Sequence, residues 1–243
     1  MQVRFPVDER ALRYIESLES DPDVQAILSI LLSKSGEEFY NYASIICFCY
    51  REEDLSNIES TKHLPARVKA WVKRKSFERD ETYIKFFTHL FALYSSFPQT
   101  YEGWDRLGKF RSIFPESYIY RKMLQRYGDK EEVLISRECF VVIDDWDSRK
   151  RSKEEGQKVD VALWDRKKEK GMVFETKVKI YIKEKEHQLD LLDTIHEVSH
   201  HRITTILASF APKQVVLSHL REFFPRRDLS RITVFGIDEL SNL

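Results

Sequence analysis

The chain has 243 residues, of which 42% are hydrophobic and 33% charged, so it can bury a substantial core and is not a disordered or low-complexity protein. Its 40 basic and 40 acidic side chains cancel, which excludes a globally basic nucleic-acid binder and leaves only local basic patches for that role. Cys47, Cys49 and Cys139 are odd in number and lie in apolar contexts, which favours buried thiols in a reducing compartment over a disulfide framework or a zinc cluster.

The opening M-Q-V-R-F-P-V-D-E-R has neither the basic head nor the apolar run of a signal peptide. Residues 9–18, 24–32, 37–50, 66–75 and 82–94 then carry helical periodicity with few strand signals, predicting an α-helical lobe over 1–112. Within it, A-R-V-K-A-W-V-K-R-K is a basic helix around Trp71. Its cations can grip a nucleic-acid backbone or form a solvated face over a core tryptophan. The aromatic run F-F-T-H-L-F-A-L-Y fits a core, or a contact surface for a protein partner or a second subunit in a homodimer. The apolar stretch at 84–94 is too short and polar to span a bilayer, so a soluble cytoplasmic protein without membrane attachment is expected. Residues 95–103, with Pro98 and Gly103, suit a hinge before a short connecting helix.

Charge divides evenly across the chain, with 16 basic and 17 acidic residues in 1–113 and 24 and 23 in 114–243. Pro115 suits a first helical turn and Gly128 a helix end, framing P-E-S-Y-I-Y-R-K-M-L-Q-R-Y-G. Glu116 heads the apolar stripe of Ile119, Tyr120, Met123 and Tyr127, so this carboxylate faces inward. It is either a functional acid or a helix-start acid stabilised by the macrodipole. Residues 139–143 supply a strand, and the acids of D-D-W-D after it read as turn residues. Arg149, Lys150, Arg151 and Lys153 then form the basic cluster best placed to contact a phosphate backbone.

Two strand-like runs, 159–164 and 172–180, flank a charged connection that closes at Gly171. With the turn centred between Lys167 and Lys168, Asp160 lies opposite Glu175, and opposed Cβ atoms sit roughly 4.5 to 5.5 Å apart. Lys177 shares the face of Glu175 because side chains two apart on a strand point the same way. Two adjacent carboxylates repel unless a cation separates them, and a hard divalent ion takes oxygen ligands. Such an ion polarises a phosphodiester and lowers the pKa of a bound water, while a lysine ammonium holds that water or offsets developing charge.

The segment V-D-V-A-L-W followed by M-V-F-E-T-K-V resembles the PD-(D/E)XK nuclease superfamily, whose cores include restriction enzymes and Holliday-junction resolvases. Asp160 matches its first strand acid and Glu175 with Lys177 its E-x-K pair, while Val159 replaces the proline of the motif. The resemblance covers 113–243 and implies an α/β fold, a restriction-endonuclease-like mixed β-sheet flanked by helices and preceded by the α-helical lobe. It also implies a nuclease that hydrolyses phosphodiester bonds using magnesium or manganese. By this analogy the substrate is DNA. The metal would be held by Asp160, Glu175, the Thr176 carbonyl and Glu116, with Lys177 acting on the water.

Downstream, 183–199 reads as an amphipathic helix with an inward stripe of Leu191, Leu192, Ile195 and Val198. Gln188 points toward the same side. It resembles the glutamine that follows E-x-K in several branches of the superfamily, and equally fits a helix-edge amide. Within this helix His196-Glu197-Val198-Ser199-His200 satisfies H-E-x-x-H, the pattern of a zinc hydrolase. Both histidines are turned from the apolar stripe, and exposed helix-end histidines are the competing reading. A strand at 203–210, a helix at 213–224 and a strand at 231–235 complete an α-β-β-β-α-β order. A non-catalytic nucleic-acid-binding protein on the same fold remains the other alternative.

Overall fold

A computed structural model describes residues 1–151, 157–178 and 186–243. The helical part comprises α1 (Glu9–Glu19), α2 (Pro22–Ser33), α3 (Gly36–Phe48), α4 (Glu52–Ser56), α5 (Ala66–Glu78), α6 (Glu81–Ser95) and α7 (Tyr101–Arg111). It follows the short strand β1 (Val3–Arg4). Helix starts are written in side chains: Asp8 accepts from the N–H groups of Arg10 and Ala11, Asp21 caps α2 before Pro22, and Asp80 and Thr100 cap α6 and α7. Helices therefore begin within a few residues of the positions that periodicity predicts.

Helix α8 (Ile113–Tyr127) leads into β2 (Val133–Phe140), β3 (Val142–Ile143), β4 (Trp146–Asp147) and β5 (Lys158–Asp165). These are followed by β6 (Lys170–Lys177), α9 (Glu186–Val198), β7 (Ile203–Ser209), α10 (Lys213–Phe223), β8 (Thr233–Phe235) and α11 (Ile237–Leu240). The main sheet runs β2-β5-β6-β7-β8. Its first three strands are antiparallel, and β6, β7 and β8 are parallel. Parallel neighbours need crossovers, which α9 and α10 supply. The fold is thus α/β, a mixed sheet flanked by helices and preceded by a helical region. No helix is long and apolar enough to cross a membrane among the described residues.

The expected strand over 139–143 is instead two elements in two sheets. Strand β2 begins at Val133 and pairs along its length with β5, whereas Val142 and Ile143 join a small sheet of order β1-β3-β4. Ladder hydrogen bonds to β5 hold Ser136 and Arg137 in a strand that side-chain alternation does not announce. The hairpin register is as expected, with Val161 opposite Phe174 and Ala162 opposite Val173. Gly171 does not close the turn. It lies inside β6, where a Cβ would sit 2.5 Å from the Leu163 carbonyl oxygen, and the turn is made by Asp165 accepting from the N–H groups of Lys167 and Lys168. Positions 179 and 180 of the expected strand lie outside the described residues.

Buried side chains from both halves form one continuous core. At its centre Phe39 of α3 stacks on Tyr118 of α8 with ring centroids 4.4 Å apart, and Phe210 after β7 meets both edge-on. Arg111 donates to the carbonyls of Ile46 and Cys47, satisfying the C-terminal end of α3. Trp71 is buried, as the core-tryptophan reading of its helix expects, and all three cysteines are buried free thiols.

Candidate active site

Strand register places the acids. Glu138 on β2 falls between Arg137, opposite Val161, and Cys139, opposite Val159, so Asp160 is its neighbour on β5. Pairing between β5 and β6 ends at Val161 and Phe174, so Glu175 follows next along β6, just beyond the ladder. Glu138 and Asp160 therefore lie side by side on β2 and β5, and α8 adds Glu116 from its first turn. Carboxylate oxygens of Glu116, Glu138 and Asp160 lie within 4.8 Å of one another.

Each acid is held differently. Asp160 Oδ2 accepts from the Thr176 backbone N at 2.6 Å and from Thr176 Oγ1 at 2.8 Å, where the β5–β6 ladder has stopped. Glu116, 4% exposed, receives Arg137 Nε at 3.2 Å and Nη2 at 2.9 Å, both on one oxygen. Glu138 adopts φ +45°, a left-handed conformation that costs a non-glycine residue about 1 to 3 kcal/mol. Its backbone is fastened there by the Asp8 N–H, which donates to its carbonyl at 2.8 Å. Glu175 is paired with the Lys177 ammonium, which also donates to the Thr176 carbonyl at 2.8 Å.

The electrostatics follow from burial and like charge. Burial, with Asp160 and Glu138 adding negative charge, pushes the Glu116 carboxyl well above the usual carboxylate range against the pull of Arg137. Burial and Asp160 push Glu138 the same way, against Lys158. Burial also works against the Lys177 charge, but Glu175 and Asp160 outweigh it and hold its pKa above the ordinary lysine value. These neighbouring carboxylates favour the protonated form of Lys177.

A hard divalent cation fits this donor set. The buried Glu138 Oε2 has no aligned hydrogen-bond donor among the described residues, although Lys158 Nζ lies 2.6 Å away. Three crowded oxygens, two of them on carboxyls whose ionisation burial opposes, are the chemistry that such an ion relieves.

Of the expected residues, Glu116 and Asp160 meet within 4.8 Å, Thr176 holds Asp160, and Lys177 pairs with Glu175, which is not one of the three acids of that group. Gln188 is half-buried on α9, and among the described residues no hydrogen bond ties it to the acids. Arg149 forks onto Asp147, with Nε at 3.0 Å and Nη2 at 2.6 Å, and Lys150 is exposed. Arg151 ends a short 3-10 turn, and Lys153 lies outside the described residues.

The H-E-x-x-H arrangement does not form. Helix α9 ends at Val198, and His200 takes φ +50°, so it is not one helical turn beyond His196 on the same face. His196 Nε2 instead faces His201 Nδ1 at 2.7 Å, and Glu197 is paired with Arg231.

Glu138, Arg137 and Lys158 are the members of the cluster that sequence reading passes over. No local pattern gives them away, because Glu138 reaches Asp160 only through the pairing of β2 with β5.

No family model and no curated protein sequence matches the chain. Among solved structures, protein VC1899 from Vibrio cholerae is similar at 12% identity and a TM-score of 0.43, over 99% of this chain and 56% of that one. Can2 from Sulfobacillus thermosulfidooxidans, in complex with cyclic tetra-adenylate, is similar at 11% identity and a TM-score of 0.38, over 99% of this chain and 54% of that one. The chain spans about half the length of each.

Proposed function

We propose that this protein is a metal-dependent nuclease that hydrolyses phosphodiester bonds, with DNA as the substrate. In this reading residues 113–243 form a PD-(D/E)XK-like catalytic core, and 1–112 form a helical lobe that engages nucleic acid or a partner. The observation that carries it is the meeting of Glu116, Glu138 and Asp160 within 4.8 Å, beside an E-x-K lysine that keeps its charge. Magnesium or manganese held by Asp160, Glu116 and Glu138, with Glu175 and the Thr176 carbonyl alongside, would supply Lewis acidity and a water of lowered pKa.

The chain's own residues have separable roles. Thr176 aims the Asp160 carboxylate through two donors. Arg137 keeps Glu116 ionisable in a buried setting by partial neutralisation. Lys177, whose ammonium pairs with Glu175 and donates to the Thr176 carbonyl, would position or activate the attacking water or offset charge on a phosphoryl oxygen. The partial pairing of these acids with Arg137, Lys158 and Lys177 supports a second reading, a non-catalytic nucleic-acid-binding protein with an internal ion-pair network.

Cleavage decides between them. Linear and circular DNA and single-stranded RNA, incubated with Mg2+ or Mn2+ and then with chelator, should show metal-dependent cutting of DNA. Asp160→Asn and Lys177→Ala should each reduce it by about 10²- to 10³-fold, the usual effect of losing a transition-state contact. Cutting that survives both substitutions would remove the nuclease reading, and DNA binding without cutting would favour the second.

A further inference from the structure

We propose that helix α1 sets the cation affinity of the acidic cluster by holding the two basic side chains that compete for its carboxylates. The inference rests on the metal-dependent reading of that cluster. Helix α1 carries an acid at each end, Asp8 at the N-cap and Glu19 at its last position. Each acid shares one cation with the site.

Lys158 Nζ lies 3.2 Å from Asp8 Oδ2 and 2.6 Å from Glu138 Oε2. Arg137 gives Nη1 to Glu19 Oε1 at 3.0 Å while Nε and Nη2 serve Glu116 at 3.2 and 2.9 Å. The guanidinium is a rigid planar fork, so a donor turned to Glu19 is not turned to the cluster. Its 5% exposure and the Tyr120 ring 4.9 Å away hold that orientation.

Charge balance gives the arrangement its consequence. Glu116, Glu138, Asp160 and Glu175 carry four negative charges against the three positive charges of Arg137, Lys158 and Lys177, so the basic side chains offset much of the attraction for a divalent ion. The two carboxylates of α1 restore the negative potential, and the second contact to Glu19, from Arg121 at 3.6 Å, is longer than that from Arg137. Because the tethers are 118 and 150 residues from the cations they hold, α1 acts through tertiary docking alone. Asp8 and Glu19 are therefore positioning residues that act through Lys158 and Arg137.

The test is Mn2+ binding by calorimetry on the full chain, with no substrate present. Asp8→Asn, which keeps a good N-cap, and Glu19→Gln should each weaken Mn2+ binding by about fivefold, the upper scale for a part-exposed ion pair. Lys158→Gln should tighten it by a similar factor, and Asp8→Asn added to Lys158→Gln should change nothing further. A merely structural role for α1 would lower the thermal midpoints without producing opposite signs or that loss of effect. Folded Asp8→Asn and Glu19→Gln variants that bind Mn2+ as tightly as the unaltered chain, while Asp160→Asn abolishes binding, overturn the inference. If the expected pattern appears but no nucleic acid is cut, the nuclease reading fails and the control of the cluster by α1 stands. A protein that takes up no Mn2+ at Asp160 overturns both.

Discussion

Thr176 donates twice to a single oxygen of Asp160, from its backbone N at 2.6 Å and from its hydroxyl at 2.8 Å. The side chain of one strand thereby replaces the ladder bond missing between the two, and the carboxylate is aimed before any ligand arrives. Thr176→Val keeps the shape and the backbone donor but removes the hydroxyl. If Asp160 holds the metal as proposed, Mn2+ affinity and cleavage should fall by about 10- to 100-fold, the usual effect of losing a side chain that orients a metal ligand. Stability should fall by only about 1 kcal/mol. Calorimetry and cleavage rates measured together check this, and unchanged values of both would show that the hydroxyl does not orient Asp160.

Gly171 permits the close approach of β6 to β5 at the start of the hairpin's second strand. A Cβ there would lie 2.5 Å from the Leu163 carbonyl oxygen and 2.9 Å from Trp164 Cε3. The first contact is with backbone and cannot be relieved by a rotamer change. Gly171→Ala should therefore destabilise the protein by about 1 to 3 kcal/mol, the range for overpacked interiors. Urea denaturation measures it, and a midpoint equal to that of the unaltered chain would contradict the crowding argument.

Asp8 links stability to pH. Partial burial alone would raise its pKa, but the N–H groups of Ala11 and Arg10 and the Lys158 ammonium outweigh it and hold the carboxyl below the usual aspartate value. A depressed folded-state pKa means that the unfolded chain binds the proton more readily. The contribution is thus fully present above the unfolded value of roughly 4 and is lost as pH falls through the folded value. Asp8→Ala should cost about 1 kcal/mol at pH 7 as a lost cap. The gap from the unaltered chain should narrow in denaturation at pH 3, and a gap of constant size would exclude the linkage.

Local patterns made much of this legible. Asp8, Asp21, Asp80 and Thr100 mark helix starts because a cap is satisfied by its own next few residues. The pairing of Val161 with Phe174 follows from a short turn and the two-residue period of a strand, so it too is a local property. Glu116 was traceable for the same reason, through its place at the head of a helical stripe.

The remaining site residues depend on distant parts of the chain. Glu138 becomes a cluster member only because β2 pairs with β5 and because the Asp8 N–H holds a backbone at φ +45° that its residue type does not favour. The pattern H-E-x-x-H describes a helix that in fact stops at Val198, and His200 and His201 both take left-handed conformations beyond it. Periodicity cannot announce such a stop without a glycine or proline to mark it.

By itself, then, the sequence determined the α/β class, the helical N-terminal region, the hairpin register and the placing of Asp160, Glu175 and Lys177 on one hairpin, all set by interactions a few residues apart. Only the tertiary structure decided that Glu138 joins Glu116 and Asp160, and that Arg137 and Lys158 are shared between that cluster and α1. These contacts are ionic and long-range, so they exist only where the packed core has already brought oppositely charged side chains together.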